Sequence, residues 1–411
     1  MAALALAATA VDAVLGVQPT RVYRPVSLEE AEESVRESAR DGLRLAFVGG
    51  GTELDLGAPP SRLDAVLSTL GLARVLEYAP LDQIVTVEAG VRLGALQAKL
   101  REQRQMLALD PPWADRATAG GVVATNAFGP RRTRYGSVRD LIIGVTLVRG
   151  DGTRAKGGGK VVKNVAGFDL PKLMVGSLGS LGLIATVTFR LHPLPETSST
   201  VVFPRVAPPA LGRVVEEMRK AQLEPTAVAA LWSEAGLDLG CRFEGFEAGV
   251  RQQRTRLESL ARGLELSAEV LDGTAADGFW SRQTQVREAP ATVRAKIATL
   301  PTELPGAAEQ LWPRLYEALQ APRAVFYPTL GLAFLAGNMR DSSALALAVG
   351  RTREALALKG GHLVLHAAPA ELRARTDVWG PGPESAFLFR RVKNALDPEH
   401  RLAPGRLVGG L

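Results

Sequence analysis

The sequence predicts an α+β protein of two or three domains: a glycine-rich first domain, then a region built from two similar halves. Three observations carry this. At 411 residues the chain is too long for one ordinary core. Fourteen of the 68 residues from 118 to 185 are glycine, roughly twice the density of the whole chain. Beyond residue 197 the glycines thin out, and helical and strand patterns recur in the order β-α-β-β-α-β, twice.

Composition narrows the class. Hydrophobic residues make up 46% and charged residues 22%, ordinary for a globular protein. The net charge is +6, but the Arg residues are spread along the chain, often beside Glu as in 249–264. No basic block with interleaved aromatics points to nucleic acid. Cys241 is the one cysteine, so no internal disulfide framework exists and a reducing compartment is expected. One thiol also cannot hold an iron–sulfur cluster, which normally takes four. The Ala- and Leu-rich stretch 1–17 lacks a basic residue before its apolar run and is interrupted by Asp12. It reads as an N-terminal helix packed on the first domain rather than a signal peptide. No run of 18 apolar residues suggests a transmembrane span.

The elements follow in order. Ser27 and Glu30 form a capping-box pattern that opens a helix to about Arg40, with Gly42 as its stop. The apolar run 43–48 reads as a strand that enters Gly49-Gly50-Gly51-Thr52 directly. One glycine is enough for a strand exit, so three in succession point to a loop presenting N–H groups to an anion. Residues 84–88 alternate as a strand, and 93–105 read as a helix. Asp110-Pro111-Pro112-Trp113 is a rigid turn, and Gly150-Asp151-Gly152 joins strands 141–149 and 153–156. A strand at 185–191 closes the first domain.

The second region reads as strand 199–204, helix 208–222, strands 226–233 and 239–246, helix 248–264 and strand 267–271. A linking helix near 276–287 precedes strand 291–300, helix 305–320, strands 323–328 and 331–338, helix 342–358 and strand 361–367. Each half is a ferredoxin-like split unit, so one antiparallel sheet with helices on one face is expected. Expected domains are therefore 1–196, 197–375 and a C-terminal segment, 376–411, that returns to the first domain.

The glycine spacing rejects two familiar phosphate loops. Gly159-Lys160 is followed by Val161, so there is no P-loop, and Gly176, Gly179 and Gly182 do not make the dinucleotide G-x-G-x-x-G. Together, Val48-Gly49-Gly50-Gly51-Thr52, Thr118-Ala119-Gly120-Gly121 with Asn126, Tyr135-Gly136, Arg139-Asp140, Lys163-Asn164-Val165-Ala166-Gly167-Phe168-Asp169-Leu170 and the 176–182 run form an ordered series. This series resembles the FAD-binding domain of the vanillyl-alcohol oxidase and p-cresol methylhydroxylase (PCMH-type) superfamily. The closing Ala403-Pro404-Gly405-Arg406 is similar to the family's last segment, although Ala403 stands where relatives often have Asn.

The resemblance implies FAD. Carried over by position, the cofactor-binding residues would be Val48, Gly49, Gly50, Gly51, Thr52, Glu53, Pro111, Thr118, Gly120, Gly121, Thr125, Asn126, Tyr135 and Ile184. On sequence alone Asn126 and Tyr135 read equally as a helix cap and a packed ring. No His precedes His192 and the one Cys lies in the second region, so non-covalent FAD is expected. Metal-using relatives carry a motif of which His362-Leu363-Val364-Leu365-His366 keeps only the histidines. Four strand residues span about 13 Å, against a Zn–N bond of about 2 Å, so no metal is expected there. Arg282, Arg287 and Arg294 are candidates to grip a substrate carboxylate, and no general base is identified.

Gly129-Pro130-Arg131-Arg132, Arg139-Asp140-Leu141-Ile142-Ile143-Gly144, Lys160-Val161-Val162-Lys163 and Leu178 resemble the FAD-binding E-type subunits of bacterial glycolate oxidases. That resemblance implies a small 2-hydroxy acid as substrate, a homologous catalytic flavoprotein subunit and an iron–sulfur subunit as partners. It also implies a cytoplasmic location, peripheral to the membrane only through the complex. The alternatives are a self-sufficient FAD-dependent D-2-hydroxy-acid dehydrogenase and a scaffold subunit with little or no flavin.

Overall fold

The computed structural model describes residues 3–160 and 167–411. The motif residues Val161–Ala166, including Lys163, Asn164 and Val165, lie outside the described residues. The chain divides into two compact units. The first comprises Met1–Phe128, Ser137–Pro193 and Pro381–Leu411, and the second Gly129–Gly136 and Leu194–Gly380.

Two sheets build the first unit. One has the order Leu6–Ala7, Arg21–Tyr23, Ala65–Ser68, Leu45–Val48, with the last three strands parallel. The other is antiparallel, in the order Val75–Ala79, Ile84–Glu88, Leu183–Arg190, Ile142–Val148, Arg154–Gly158. Helix Leu28–Arg40 starts where Ser27 accepts a hydrogen bond from the Glu30 N–H. Glu30 reaches back to the Val26 N–H, one residue before the cap, rather than to Ser27 itself. The helix buries Ala31, Ser34, Val35 and Ser38, the stripe that a 3.6-residue period lays on one face. Ala31 and Val35 join Leu45, Leu67, Val148, Leu183 and Leu402 in one core cluster that draws on both sheets. Each large aliphatic side chain buried there contributes about 1.5–3 kcal/mol of transfer free energy.

Several sequence expectations need correction. Residues 3–17 form no long helix: Leu6–Ala7 is a short strand and Ala10–Asp12 a single 3-10 turn. Asp12 accepts from both the Thr9 N–H and its hydroxyl, which closes the turn locally, while Leu4 and Val11 remain exposed. Without a buried stripe, a helix there has nothing to pack with. The second helix runs Leu93–Arg101 and stops short of 105, because Gln105–Met106 pairs with His192–Pro193 instead. The expected helix 305–320 is two, Leu304–Gln310 and Trp312–Glu317, broken just before Pro313, which has no N–H to donate to the preceding turn and is tolerated only in the first turn of a helix.

In the second unit, eight strands form one antiparallel sheet. The first half contributes Thr197–Val206, Ala227–Ser233, Gly236–Gly245 and Glu269–Leu271. The second half contributes Val293–Ala298, Leu319–Tyr327, Leu332–Met339 and His362–Ala367. Across the sheet the order is fourth, first, third, second of the first half, then second, third, first, fourth of the other. Each half thus has the ferredoxin-like order, and the two meet through a short seam, Ala230 opposite Phe326 and Leu231 opposite Val325. Helix Gly273–Glu288 crosses one face. Its Trp280 indole donates to Thr200, and Gln283 donates to the Tyr327 hydroxyl. Gly240 makes room for the Phe279 ring, which a Cβ there would meet at 2.3 Å.

The segment Gly129–Gly136 packs with the second unit although it falls inside the span expected for the first. Arg131 pairs with the buried Glu244 at 2.7 Å, and the hydroxyls of Thr133 and Thr329 lie 2.9 Å apart. Neither link is visible from sequence spacing.

Candidate cofactor site

The site begins where strand Leu45–Val48 ends. The Thr69 N–H donates to the Val48 carbonyl and holds the exit of the strand beside its parallel neighbour. The chain then turns through Gly49, Gly50 and Gly51, the last at φ +69°, a left-handed conformation that glycine adopts freely. Among the described residues, the N–H groups of Gly49, Gly50, Gly51 and Thr52 meet no acceptor. Four adjacent bare donors form a concavity suited to an anion.

A second segment closes against this loop. Helix Ala119–Thr125 is capped by Thr118, which accepts from the Gly121 N–H, and it ends at Asn126 in the left-handed region. The glycine run 176–182 ties down the end of this helix: Gly176 donates to the Val123 carbonyl and Leu178 to that of Ala124. Leu178 itself sits at φ +51°, held there by this bond.

Several of these glycines also serve close packing. A Cβ on Gly50 would stand 1.9 Å from the Arg116 carbonyl oxygen, and one on Gly49 2.2 Å from the Thr118 hydroxyl. Gly120 likewise accommodates Ala89, whose Cβ would be 2.6 Å away. These residues are small so that two stretches of chain can touch. Gly51 alone faces open space.

The two stretches touch without filling the space beside them. A cavity is walled by 49–53 and Val48 on one side and by Thr118, Gly121 and Thr125 on the other. A second, smaller cavity includes Gly120, Gly179, Gly182 and Ile184, and it shares Phe47, Gly49, Gly121 and Ala124 with the first. Of the residues singled out from sequence, Val48, Gly49, Gly50, Gly51, Thr52, Glu53, Thr118, Gly121 and Thr125 border the larger cavity, and Gly120 and Ile184 the smaller. Pro111 and Asn126 border neither, although Asn126 Oδ1 is buried and meets no partner among the described residues. Tyr135 belongs to the second unit, where burial and then the Glu244 carboxylate push its phenol above the ordinary value. Sequence reasoning did not assign Val14, Leu54, Leu178, Ala403 and Arg406 to this wall. The signal for the last two lay in the closing Ala-Pro-Gly-Arg.

Bare main-chain donors, a positive-φ glycine and two cavities that share lining residues fit a dinucleotide with an anionic centre. Residues 19–158 match the family described as FAD binding domain. This segment is thus similar to an FAD-binding domain. FAD is the cofactor of that family, and the residues present fit it. The chain is 33% identical over 226 residues to glycolate oxidase subunit GlcE of Escherichia coli K12, covering 55% of this chain and 63% of that one. It is 34% identical over 184 residues to a D-2-hydroxyglutarate dehydrogenase of Xanthomonas citri pv. viticola, covering 45% and 39%. The matches thus span less than two thirds of either relative. Among solved structures, p-cresol methylhydroxylase with substrate bound superposes with a TM-score of 0.76 at 14% identity, covering 95% of this chain and 89% of that one. That likeness shows the fold, which is PCMH-type.

In the second unit, Arg287 is buried with its guanidinium 3.9 Å from the centre of the Phe334 ring, Arg294 lies on a neighbouring strand, and Arg282 is exposed. Cys241 is fully buried, and burial pushes its thiol up to about 12.

Proposed function

We propose that this chain is an FAD-dependent oxidoreductase acting on a small 2-hydroxy acid, as the FAD-binding subunit of a glycolate-oxidising complex. The observation that carries the reading is the cavity beside the four bare N–H groups of 49–52, within a segment of the FAD-binding family. The 49–53 loop and the Thr118–Asn126 segment hold the diphosphate, and Ile184 borders the adenosine side. FAD bound there supplies a two-electron acceptor for oxidation of an alcohol to a carbonyl. The chain's contribution is to fix that group by main-chain donors and to exclude water with the buried walls.

Attachment of the flavin is non-covalent in this reading, since the one thiol is sealed in the second unit and stays protonated. Onward transfer of electrons falls to partner subunits, a homologous flavoprotein and an iron–sulfur protein. The E. coli relative's name supports the subunit role, and the single cysteine leaves this chain without the thiolates for a cluster. Arg287 and Arg294 are the preferred candidates to meet the substrate carboxylate. The location proposed is the cytoplasm, with membrane contact only through the complex; among the described residues no helix is long and apolar enough to cross a membrane.

The likeness to a D-2-hydroxyglutarate dehydrogenase favours a second reading, a self-sufficient 2-hydroxy-acid dehydrogenase. Purification of the chain alone separates the two. A yellow protein inert towards glycolate and D-lactate with a dye acceptor, but active once its co-purified partners are restored, supports the subunit. Turnover by the chain alone supports the dehydrogenase. A colourless protein that fails to take up added FAD overturns both.

A further inference from the structure

We propose that residues 3–18 form a strap that opens to admit and release FAD, a role that rests on placing its diphosphate beside the 49–52 loop. The strap begins with strand Leu6–Ala7, makes the Ala10–Asp12 turn and ends in a tight loop. In that loop Val14 and Val17 exchange two main-chain bonds of 3.0 Å, across Leu15 at φ +50° and Gly16 at φ +82°. Val14 is buried and borders the larger cavity. It forms a small core with Val22, Ala46, Leu63 and Val66, against which Val17, Val48 and Leu54 also pack. Val48 and Leu54 flank the glycine loop, so the strap shares a core with both of its limbs. Residues 3–18 lie outside the 19–158 stretch that matches the FAD-binding family.

The other walls are tied from several sides. Strand Leu45–Val48 lies between Ala65–Ser68 and the closing segment, where the Leu45 N–H donates to the Arg401 carbonyl and the Ala403 N–H to that of Leu45. Helix Ala119–Thr125 is held by the bonds from Gly176 and Leu178. The strap has less. Among the described residues its ladder is two pairs, Leu6 with Val22 and Ala7 with Arg21. Beyond these, the Ala8 N–H donates to the Thr20 carbonyl and the Ala3 N–H to the Ser34 hydroxyl. The Asp12–Arg24 pair, 3.6 Å apart with its Arg exposed, adds little. The strap's other bonds are internal: Thr9 to Asp12, Val14 with Val17, and the Gln18 amide to the Thr9 carbonyl. Few bonds across and several within describe a segment that opens as one piece, below the free energy of global unfolding. Val14 leaves with it, which uncovers the cavity and loosens the core beneath the glycine loop. By linkage, bound FAD holds the strap down in turn.

The experiment fastens the strap reversibly in the full-length chain. Ala7 and Arg21 are directly opposed on antiparallel strands, a separation of about 4.5–5.5 Å that a disulfide spans. The natural Cys241 is buried and does not compete. With Ala7→Cys and Arg21→Cys together, oxidation is expected to slow FAD uptake and FAD release alike, each by at least about tenfold. Flavin fluorescence reads both rates, and dithiothreitol should restore them. Equal rates in the oxidised and reduced forms, with FAD still bound, overturn the strap. No uptake by either form overturns the placement of the diphosphate as well. Should the disulfide not form, Val14→Ala is expected to speed FAD release about tenfold, the weight of two buried methyl groups. Val66→Ala depletes the same core from outside the strap, so it should lower the melting temperature and leave that rate alone. An unchanged rate in Val14→Ala, or equal acceleration in both variants, overturns the proposal.

Discussion

Gly50 and Arg116 are in contact through atoms that leave no room for a side chain: a Cβ on Gly50 would lie 1.9 Å from the Arg116 carbonyl oxygen. Backbone meets backbone there, so neither side can yield by rotating a side chain. Gly50→Ala is therefore expected to part the loop from 116–118, lower the melting temperature and weaken FAD by at least about tenfold, the equivalent of about 1.4 kcal/mol. Gly51→Ala meets open space and forces only an unfavourable φ, costing about 1–2 kcal/mol of stability. Flavin titration and thermal unfolding of the pair measure the difference. Equal effects would show that packing is not what the glycines serve.

Lys393 is fully buried, and its ammonium donates to the Ser180 and Leu402 carbonyls at 2.7 Å and to Asp397 at 2.6 Å. Three acceptors match its three protons. Burial still holds its pKa below the ordinary value, with Asp397 opposing that shift. Lys393→Met leaves Asp397 buried without its cation and is expected to cost about 3–5 kcal/mol. Because Ser180 lies in the glycine run bordering the smaller cavity, FAD retention should fall with stability. Denaturant unfolding of apoprotein and holoprotein checks both.

Arg131 and Glu244 connect the 129–136 segment to the second unit's sheet. The Glu244 side chain is 4% exposed, and Arg242 approaches it only to 3.8 Å. Arg131→Ala should destabilise the protein by about 3 kcal/mol, the lower end for a broken buried pair because Arg131 itself is partly exposed. Hydrogen exchange should then rise in Gly236–Gly245 first. Unchanged exchange there would remove this segment from the second unit.

Cys241 gives a pH prediction. Its folded pKa is raised from 9.0 to about 12 by burial, so between these values the unfolded chain loses a proton that the native state keeps. The contribution is fully present below pH 9 and is lost as pH rises towards 12. The stability difference between wild type and Cys241→Ala should shift accordingly across that window. At neutral pH a thiol reagent should label Cys241 only as fast as the protein unfolds.

Much of this architecture could be read from residue patterns, and the misses have local causes. Ser27 and Glu30 marked a real helix start because capping is decided within four residues. The double β-α-β-β-α-β order was legible because each strand and helix carries its own period, and Pro313 was the overlooked sign that one helix is two. The walls of the two cavities were visible where glycines cluster at 49–51 and 120–121. What the glycines accommodate was not, since contact between Gly50 and Arg116 is set by tertiary approach. That Tyr135 groups with the second unit was not legible either: an ion pair across more than 100 positions draws its segment there. Arg406 sat in a recognised motif, but its orientation depends on carbonyls of Leu54 and Leu56 that no spacing rule connects to it.

The partnership of Leu45 with the 401–403 segment has a bearing on biogenesis. The ribosome must deliver some 350 further residues before this strand acquires the neighbour that completes its edge. All the residues of the second unit have been synthesised by then, so that unit is free to mature while the first remains open along one seam.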